Sequence, residues 1–337
     1  MIFSQYVRDR KVRTFSLSSK FLKSFEGHQP NWGPVGYVTY KRTYSRPLEE
    51  GGTEEWWQTA QRVVEGAFMV QKIHCRQLNL PWDEAKAQKS AQDMYQRMWD
   101  FKFLPPGRGL WMMGTDYVYK QGSAGLTNCS FISTDMITED FAGPFCFLMD
   151  MSMMGVGVGS DTRGASKVKI HMPKTTENVF VVEDSREGWV ALLRVILESF
   201  VGKSSYPLVI DYSGVRGAGV PIKGFGGSAS GPKPLQVLME YIVSVLMPSG
   251  IQVSYDVEDL DTELQTIGLV KITIKGSGDP YPITSTHIVD IMNHIGCCVV
   301  AGNVRRCLPK GTIVHTSCGL YPIEKINRDD GKNFIWL

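Results

Sequence analysis

Cysteines are the residues of this 337-residue chain best suited to covalent chemistry, and there are seven of them. They are Cys75, Cys129, Cys146, Cys297, Cys298, Cys307 and Cys318. No CxxC pair and no Cys/His group with zinc-ligand spacing occurs, so we expect no metal site. An odd set without framework spacing, in a chain that begins without a secretory signal, predicts reduced thiols. Some of these thiols are therefore expected to be reactive rather than structural.

Cys129 is the first candidate among them. It lies in LTNCSFI, where small residues lead into a short apolar strand. One interpretation is a small buried hydrophobe, which is what most free cysteines are. The other is a redox thiol, which would need a partner cysteine and a route of access. Composition alone leaves both open.

Two glycine-rich turns are candidate anion sites, because glycine lets backbone N–H groups approach a phosphate closely. The first, GVGVGSD (Gly155–Asp161), lacks a Walker lysine and suits a tight strand–turn better. The second, KGFGGSASGPKPL, runs from Lys223 to Leu235 and leads into a helix. It indicates either a phosphate-bearing ligand or a plain loop.

An arginine pair closes the motif AGNVRR at Arg305 and Arg306. Two arginines on a loop can grip phosphate bidentately, or they form a solvated charged tip. The apolar helical run before them contains Cys297 and Cys298, which we expect in the core.

The residue pattern changes at Cys307, where the segment CLPKGTIVHTSCGLYPIEKI begins. Residues 312–317 alternate as a strand would, and Gly319 suits a hairpin turn. A β-type pattern therefore follows directly on a helical one.

The elements that must position these residues follow from periodicity. Helices are predicted over Glu54–Val70, Asp83–Phe103, 184–200, Leu235–Leu246 and from His287, and strands over Gly250–Val257 and Leu269–Ile274. Within residues 28–66, Tyr37, Thr39, Lys41 and Thr43 alternate with Val38, Tyr40 and Arg42, which favours an extended segment. Alternating helices and short strands predict an α/β domain.

The overall composition argues against two classes of binding partner, nucleic acids and membranes. Hydrophobic content is 43%, charged content 21% and net charge +2, so nothing indicates binding to nucleic acid. A bilayer span needs about 20 apolar residues, and no such run occurs, so we expect no membrane contact. With no signal core at the N-terminus, the expected location is cytoplasmic.

Eight motifs occur along this chain in the order in which a known enzyme family has them. GPVGYVTYKRTYSR, RVVEGAF, GRGLWMMGTDY, LTNCSF, GVGVGS, DSREGWV, GFGGSASGPKPL and IVDIMN.IG..VVAGNVRR occur as in the adenosylcobalamin-dependent (class II) ribonucleotide reductases, over about residues 28–306. The monomeric ribonucleoside-triphosphate reductase branch is the most similar. The resemblance implies the N-terminal half of a ten-stranded α/β barrel. It also implies thiyl-radical reduction of ribonucleoside triphosphates at the ribose 2′-hydroxyl, for DNA synthesis.

The family's roles transfer onto matching positions. Cys129 resembles the N-terminal member of the cysteine pair that reduces substrate and becomes a disulfide. Two neighbouring segments resemble the lining of the substrate pocket: Pro106, Gly107, Arg108 and Gly109, with Thr127, Asn128 and Ser130. The loop from Arg216 to Gly231 resembles the one that holds a deoxynucleotide allosteric effector, with these candidate residues: Arg216, Lys223, Gly226, Gly227, Ser228, Ser230 and Gly231. Gly302, Asn303 and Arg305 resemble the start of the loop that relays effector identity to the substrate site.

The resemblance also implies adenosylcobalamin as cofactor, with no contacting residues named here, and a thioredoxin-type reductant as partner. The family's thiyl cysteine, its second redox cysteine, its catalytic glutamate and asparagine and its shuttle cysteines follow the AGNVRR motif. Since none is present here, we expect the isolated chain to be inactive and the half-barrel to leave an open sheet edge.

From Cys307 the chain resembles the N-terminal splicing block of an intein, a segment of the all-β Hint type. Such a segment needs a first Cys or Ser whose side chain attacks the preceding carbonyl, here that of Arg306. An ordinary hairpin with a buried cysteine explains the β pattern but not the interruption of a reductase motif. No TxxH block, no terminal His-Asn and no downstream nucleophile is present. Either a split intein that splices in trans with a complementary C-terminal intein/reductase half, or a truncated product, would fit.

Three regions are therefore predicted: a mainly helical region at 1–103, the first part of the barrel at 104–306 with an insertion at about 161–212, and an intein segment at 307–337. The alternative function is a non-catalytic nucleotide-binding fragment that does not splice.

Overall fold

The computed structural model describes residues 14–48, 50–221, 228–261, 266–300, 313–316 and 319–322. Its helices are α1 (Ser19–Leu22), α2 (Gly36–Thr43), α3 (Trp56–Gln77), α4 (Glu84–Trp99), α5 (Gly107–Met112), α6 (Asp116–Gln121), a 3₁₀ turn (Ser123–Leu126), α7 (Gly143–Met153), α8 (Arg186–Ser199), α9 (Lys233–Leu246) and α10 (Ser285–Val300). Its strands are β1 (Cys129–Ile132), β2 (Gly157–Ser160), β3 (Lys169–Ile170), β4 (Thr175–Val181), β5 (Tyr206–Asp211), β6 (Ala218–Pro221), β7 (Ser228–Ser230), β8 (Gln252–Asp261), β9 (Thr266–Lys275), β10 (Tyr281–Pro282), β11 (Ile313–Thr316) and β12 (Gly319–Pro322).

The predicted long helices are confirmed, and polar side chains fix where they begin. The Asp83 carboxylate accepts a hydrogen bond from the Lys86 N–H and so caps α4. The Ser185 hydroxyl caps α8 in the same way through the Gly188 N–H. Helix α4 ends at Trp99, earlier than predicted, because Phe101 takes a left-handed backbone conformation with φ +55°.

The extended segment predicted within residues 28–66 is wrong over α2. Tyr37, Tyr40 and Tyr44 are spaced i, i+3 and i+7, so the same residues that alternate also share one helical face. The Tyr40 ring is buried against Trp32 and Trp56, with ring centroids 5.3 Å apart in both pairs. Burial of aromatic surface on that face decides between the two periods.

The N-terminal helices enclose an aromatic core of their own. It is formed along the buried stripe of α3 and the facing side of α4, where Ala91, Tyr95 and Met98 are fully buried. Phe15 and Phe25 pack onto it from the preceding segment.

A second, larger core lies around a four-stranded sheet with the order β4-β5-β9-β8. Strands β4 and β5 are parallel, and the β5–β9 and β9–β8 pairs are antiparallel. Helices α7 to α10 contribute apolar residues to the same core, including Phe145, Leu193, Leu238 and Ile291.

Strands β1 and β2 form a separate parallel pair, with helix α7 between them in the sequence. In the part of the chain that the structure describes, neither strand pairs with a third one. The α/β class is confirmed. The ten-stranded barrel and the three region boundaries stay predictions.

The predicted β pattern after Cys307 is confirmed for its two strands. Strands β11 and β12 pair antiparallel, with Ile313 opposite Pro322 and Thr316 opposite Gly319. A two-stranded hairpin occurs in many folds, so it does not identify an intein. Among the described helices, none is long and apolar enough to cross a membrane.

Candidate functional site

Cys129 begins strand β1 and its side chain is exposed. The interpretation of this residue as a buried small hydrophobe is therefore wrong. Thr127 and Asn128, which precede it, are exposed as well. A thiol at this position has the access that redox chemistry requires.

Strand β2, which pairs with the strand of Cys129, has glycine at the positions opposite Cys129 and Phe131. Cys129 is in register with Gly157, and Phe131 with Gly159. A Cβ built at Gly157 would have only the Asn128 carbonyl oxygen nearby, at 3.6 Å. Since alternate residues of a strand point to opposite faces, Cys129 and Phe131 share a face that β2 leaves free of side chains. The GVGVGSD motif is thus a strand and its turn.

Ser130 lies on the other face of β1, next to Val158 in register. Its hydroxyl is buried and has no hydrogen-bond partner among the described residues. The structure therefore does not bring Ser130 to the Cys129 face, although the two were predicted to line the same pocket.

Arg108 joins the second predicted substrate segment to this strand pair. Its guanidinium donates to the carbonyl oxygens of Met154 and Gly155, and it lies over the Trp111 ring at 5.9 Å. Burial lowers the pKa of Arg108. The Gly157 N–H in turn donates to the Asn128 carbonyl at 2.9 Å. These hydrogen bonds connect three segments into one contiguous group: residues 106–109, 155–157 and 127–129.

A buried ion pair holds the helix that carries Arg108. Arg62 of α3 makes two hydrogen bonds to the Glu54 carboxylate, at 2.6 and 2.9 Å. The same guanidinium donates to the carbonyls of Leu110 and Met113 at the C-terminal end of α5. Arg62 thereby satisfies carbonyls that the end of a helix leaves unpaired.

Asp161 ties together the ends of β1 and β2. Its carboxylate accepts hydrogen bonds from the Ser133 hydroxyl and from both the N–H and the hydroxyl of Thr134, at 2.8 to 2.9 Å. Partial burial acts to raise the pKa of Asp161, but these hydrogen bonds outweigh it and lower the pKa to about 2. The carboxylate is ionised at neutral pH and fixes the loop that leaves β1.

The residues predicted for the effector lie elsewhere, at the turn before α9. Arg216 forms an ion pair with Asp184, with 2.8 Å between Arg216 Nε and Asp184 Oδ2. Ser228 and Ser230 are half-buried on β7, which pairs with β6, and Gly231 has φ +73°. Lys223, Gly226 and Gly227 lie outside the described residues, so this group is only partly seen.

Gly302, Asn303, Arg305, Arg306 and Cys307 also lie outside the described residues. Of the cysteine pair on α10, Cys298 is buried as predicted, whereas Cys297 is exposed, because adjacent residues on a helix point in different directions. Burial raises the pKa of the Cys146 and Cys298 thiols to about 12, which leaves both unreactive.

The described residues contain no group of three or more His, Cys, Asp or Glu side chains that could hold a metal ion. We assign adenosylcobalamin to none of these residues.

Sequence reasoning did not single out Arg62 or Asp161 as residues that hold the site. Arg62 lies on a helix among other polar residues, and Asp161 follows a glycine strand. Their partners are distant in sequence: 27 and 28 positions separate Asp161 from Thr134 and Ser133. Only the fold shows such contacts.

Two family models match the chain. One, described as "Ribonucleotide reductase alpha domain", matches residues 17–115, which include Arg62 and Arg108. The other, described as "B12-dependent ribonucleotide reductase, insertion domain", matches residues 157–246. That interval contains the predicted insertion at 161–212.

Named relatives agree with the models. The adenosylcobalamin-dependent ribonucleoside-triphosphate reductase of Euglena gracilis is 39% identical over 88% of this chain, and that of Lactobacillus delbrueckii subsp. bulgaricus is 31% identical over 86%. A crystal structure of a B12-dependent (class II) ribonucleotide reductase superposes with a TM-score of 0.64 and 27% identity over 86% of this chain. The chain spans 37% and 42% of the two relatives and 44% of the solved chain, which is about two-fifths of their length. In sequence and in fold, the chain belongs to the adenosylcobalamin-dependent (class II) ribonucleotide reductase family.

Proposed function

We propose that this chain supplies the N-terminal part of an adenosylcobalamin-dependent ribonucleoside-triphosphate reductase, in which Cys129 is one of two thiols that reduce the substrate. The observation that carries the proposal is the exposed Cys129 thiol on a strand whose neighbour is glycine at the facing positions. A bare strand leaves room for a ribose and for a second cysteine beside the thiol.

The proposed reaction balances in electrons and protons. The 2′ carbon–oxygen bond of the ribose breaks, a carbon–hydrogen bond replaces it, and the oxygen leaves as water. Cys129 and the second cysteine supply two electrons and two protons, and they form a disulfide. A thioredoxin-type protein then reduces that disulfide by thiol–disulfide exchange. Adenosylcobalamin would supply the radical that starts the reaction.

The chain's other residues have supporting roles in this proposal. Thr127 and Asn128 are exposed beside the thiol and would contact the substrate. Arg108 would act mainly as a positioning residue, since its guanidinium is directed at backbone carbonyls. The turn at Arg216, Ser228, Ser230 and Gly231 would bind a deoxynucleotide effector once Arg216 is released from Asp184.

The test uses the reductase assembled from residues 1–306 and the remaining part of the enzyme. We expect Cys129→Ser to abolish turnover with a thioredoxin-type reductant. The matched control is Cys297→Ser, which removes the other exposed thiol and should retain activity. Full activity in Cys129→Ser, or equal losses in both variants, would contradict the proposed role.

We also propose that Cys307 is the first residue of an intein segment and that trans-splicing joins Arg306 to a complementary C-terminal half. Two things support this: the cysteine directly after the AGNVRR motif, and the antiparallel β11–β12 pair in the segment that follows. The cysteine sulfur would attack the Arg306 carbonyl carbon, turn the amide into a thioester and leave a free amine on Cys307.

Splicing has a direct chemical signature. Mixing the chain with its complementary half should give a ligated product by mass spectrometry, and Cys307→Ala should give none. Cys318→Ala is the control, since Cys318 lies in the same segment without a proposed role. Ligation that survives Cys307→Ala would refute the intein. Deoxynucleotide binding without cleavage by dithiothreitol would instead favour a non-catalytic nucleotide-binding fragment.

A further inference from the structure

A cavity of about 490 Å³ opens in the N-terminal helical region. Its lining includes the side chains of Asn31, Trp32, Thr39, Tyr44, Trp56 and Phe101. No lining residue in the described chain carries a charge. The volume lies in the range of small-molecule sites, which are mostly apolar with a few polar groups.

Aromatic rings form the walls of this cavity. The Trp32 ring lies 5.0 Å from Phe101 and 5.5 Å from Trp56, centroid to centroid. Phe101 keeps 37% of its surface exposed. Its part-exposed ring offers a flat surface on which a planar ligand can stack.

The backbone at Phe101 is strained in a way that places this ring. Its φ of +55° lies in the left-handed region, which is uncommon for a bulky side chain and costs about 1 kcal/mol or more. Residues held in such conformations cluster at ligand sites. An ordinary helix end would use glycine or asparagine here.

Polar groups at the cavity are available to a ligand. The Asn31 amide and the hydroxyls of Thr39 and Tyr44 make no side-chain hydrogen bond to another described residue. The Trp56 indole N–H is buried and also lacks a partner among them. An asparagine amide pairs its donor and acceptor with the N6 and N7 atoms of adenine.

We propose that this cavity binds the adenine ring of a nucleoside or nucleotide, stacked on Phe101 and Trp32, with Asn31 at the edge of the base. The inference goes beyond the proposed reduction and does not depend on it. Because the lining is uncharged, the base and not the phosphate supplies the affinity.

The cavity also borders the segment that carries Arg108. Leu110 of α5 is part of its lining, and a Cβ at Gly107 would lie 3.0 Å from the Tyr44 ring. A bound base would therefore press on residues that contact the turn before β2.

The experiment titrates the 337-residue chain with adenosine and with ATP, following tryptophan fluorescence excited where adenine does not absorb. We expect saturable binding of adenosine with a dissociation constant below about 1 mM. At this cavity, identified by the signal that Phe101→Gly removes, ATP should bind within about threefold of adenosine, since no lining charge meets its phosphates.

Two variants locate the site. Phe101→Gly removes the ring and suits the left-handed backbone, so it should keep the fold and weaken adenosine binding roughly tenfold. Phe103→Gly is its control, since Phe103 is 44% exposed, close to the 37% of Phe101, but does not line the cavity. Asn31→Ala should weaken binding about threefold or more, against Asn178→Ala as control.

Three results would overturn the proposal. One is the lack of saturable adenosine binding up to about 10 mM. The second is unchanged affinity in both Phe101→Gly and Asn31→Ala. The third is ATP binding more than about tenfold tighter than adenosine that Phe101→Gly or Asn31→Ala weakens, which would place a phosphate site in this cavity. Should Phe101→Gly lower the unfolding temperature strongly, the exposed Asn31→Ala change decides alone.

Discussion

At Gly155, both the backbone conformation and the neighbouring Arg108 side chain disfavour any residue larger than glycine. Its φ is +76°, and a Cβ placed there would lie 1.9 Å from Arg108 Nη2. The glycine is needed twice, once for the backbone conformation and once for the space that the guanidinium fills. The contact joins the segment of residues 106–109 to the turn before β2.

Gly155→Ala should lower the free energy of unfolding by about 2–3 kcal/mol, because the left-handed backbone is strained and the Arg108 guanidinium must move off the Met154 and Gly155 carbonyls. Gly202→Ala is the matched control, since Gly202 has φ +74° and no atom within 4 Å of its Cβ. The control should cost about 1–2 kcal/mol, from strain alone. Chemical denaturation measures both, and equal losses would show that the Arg108 contact with these carbonyls adds no stability.

At the scale of elements, the Arg62–Glu54 ion pair fixes α5 against α3. Glu54 is 6% exposed, so the pair is shielded from water. The fork of the guanidinium reaches both the carboxylate and the helix-end carbonyls, which a lysine could not do. A substitution here would disturb a helix that the site depends on.

Arg62→Ala should lower the free energy of unfolding by about 3–5 kcal/mol, because it leaves the Glu54 carboxylate buried without its partner. Arg97→Ala is the control. Arg97 pairs with Asp93 at the surface, where the two side chains are 61% and 65% exposed, and its loss should cost about 0.5 kcal/mol or less. Similar effects in the two variants would rule out a buried ion pair at Glu54.

The Asp161 carboxylate makes the β1–β2 connection sensitive to acid. A carboxyl whose folded pKa is lowered from about 4 to about 2 stabilises the fold above about pH 5. That stability is lost as the pH falls through the folded pKa.

Asp161→Asn should therefore reduce the free energy of unfolding by about 2 kcal/mol at neutral pH, since the charged acceptor is lost. The difference from the unsubstituted chain should shrink below about pH 4 and vanish only below about pH 2. Denaturant titrations across this range measure it, with exposed Asp279→Asn as control. A difference that stays constant with pH would mean that the carboxylate is not what stabilises the loop.

At the scale of the whole molecule, the buried apolar residues described within residues 14–299 run from Phe15 to Val299. These residues form one core around α3 and α4 and another around the four-stranded sheet. The described residues of both cores therefore precede the AGNVRR motif, and their burial is a main source of stability.

A chain shortened to residues 1–306 should unfold within about 2 °C of the 337-residue chain, since none of the described core residues is removed. Differential scanning calorimetry measures the two transitions. A lowering of more than about 5 °C would mean that the removed segment packs against a core.

Local sequence was sufficient for the long helices. The caps at Asp83 and Ser185 and the apolar stripe of α3 act within a few residues, so their effect can be read from the chain. Helix α2 could not be predicted from local sequence, because the spacing of its tyrosines fits both the two-residue period of a strand and the 3.6-residue period of a helix. Packing of Tyr40 against the Trp32 and Trp56 rings favours the helix, and both tryptophans lie outside α2.

The sequence by itself determined the α/β class, the family motifs and the position of Cys129 on a strand, because these depend on residue order and on spacing along one segment. Only the tertiary structure decided that the Cys129 thiol is exposed, that Ser130 faces away from it, and that Arg108 contacts backbone carbonyls. Burial and hydrogen bonding depend on atoms that the fold brings together from distant segments. For that reason the sequence predicted which residues could act, and the packing of the elements decided which of them lie together.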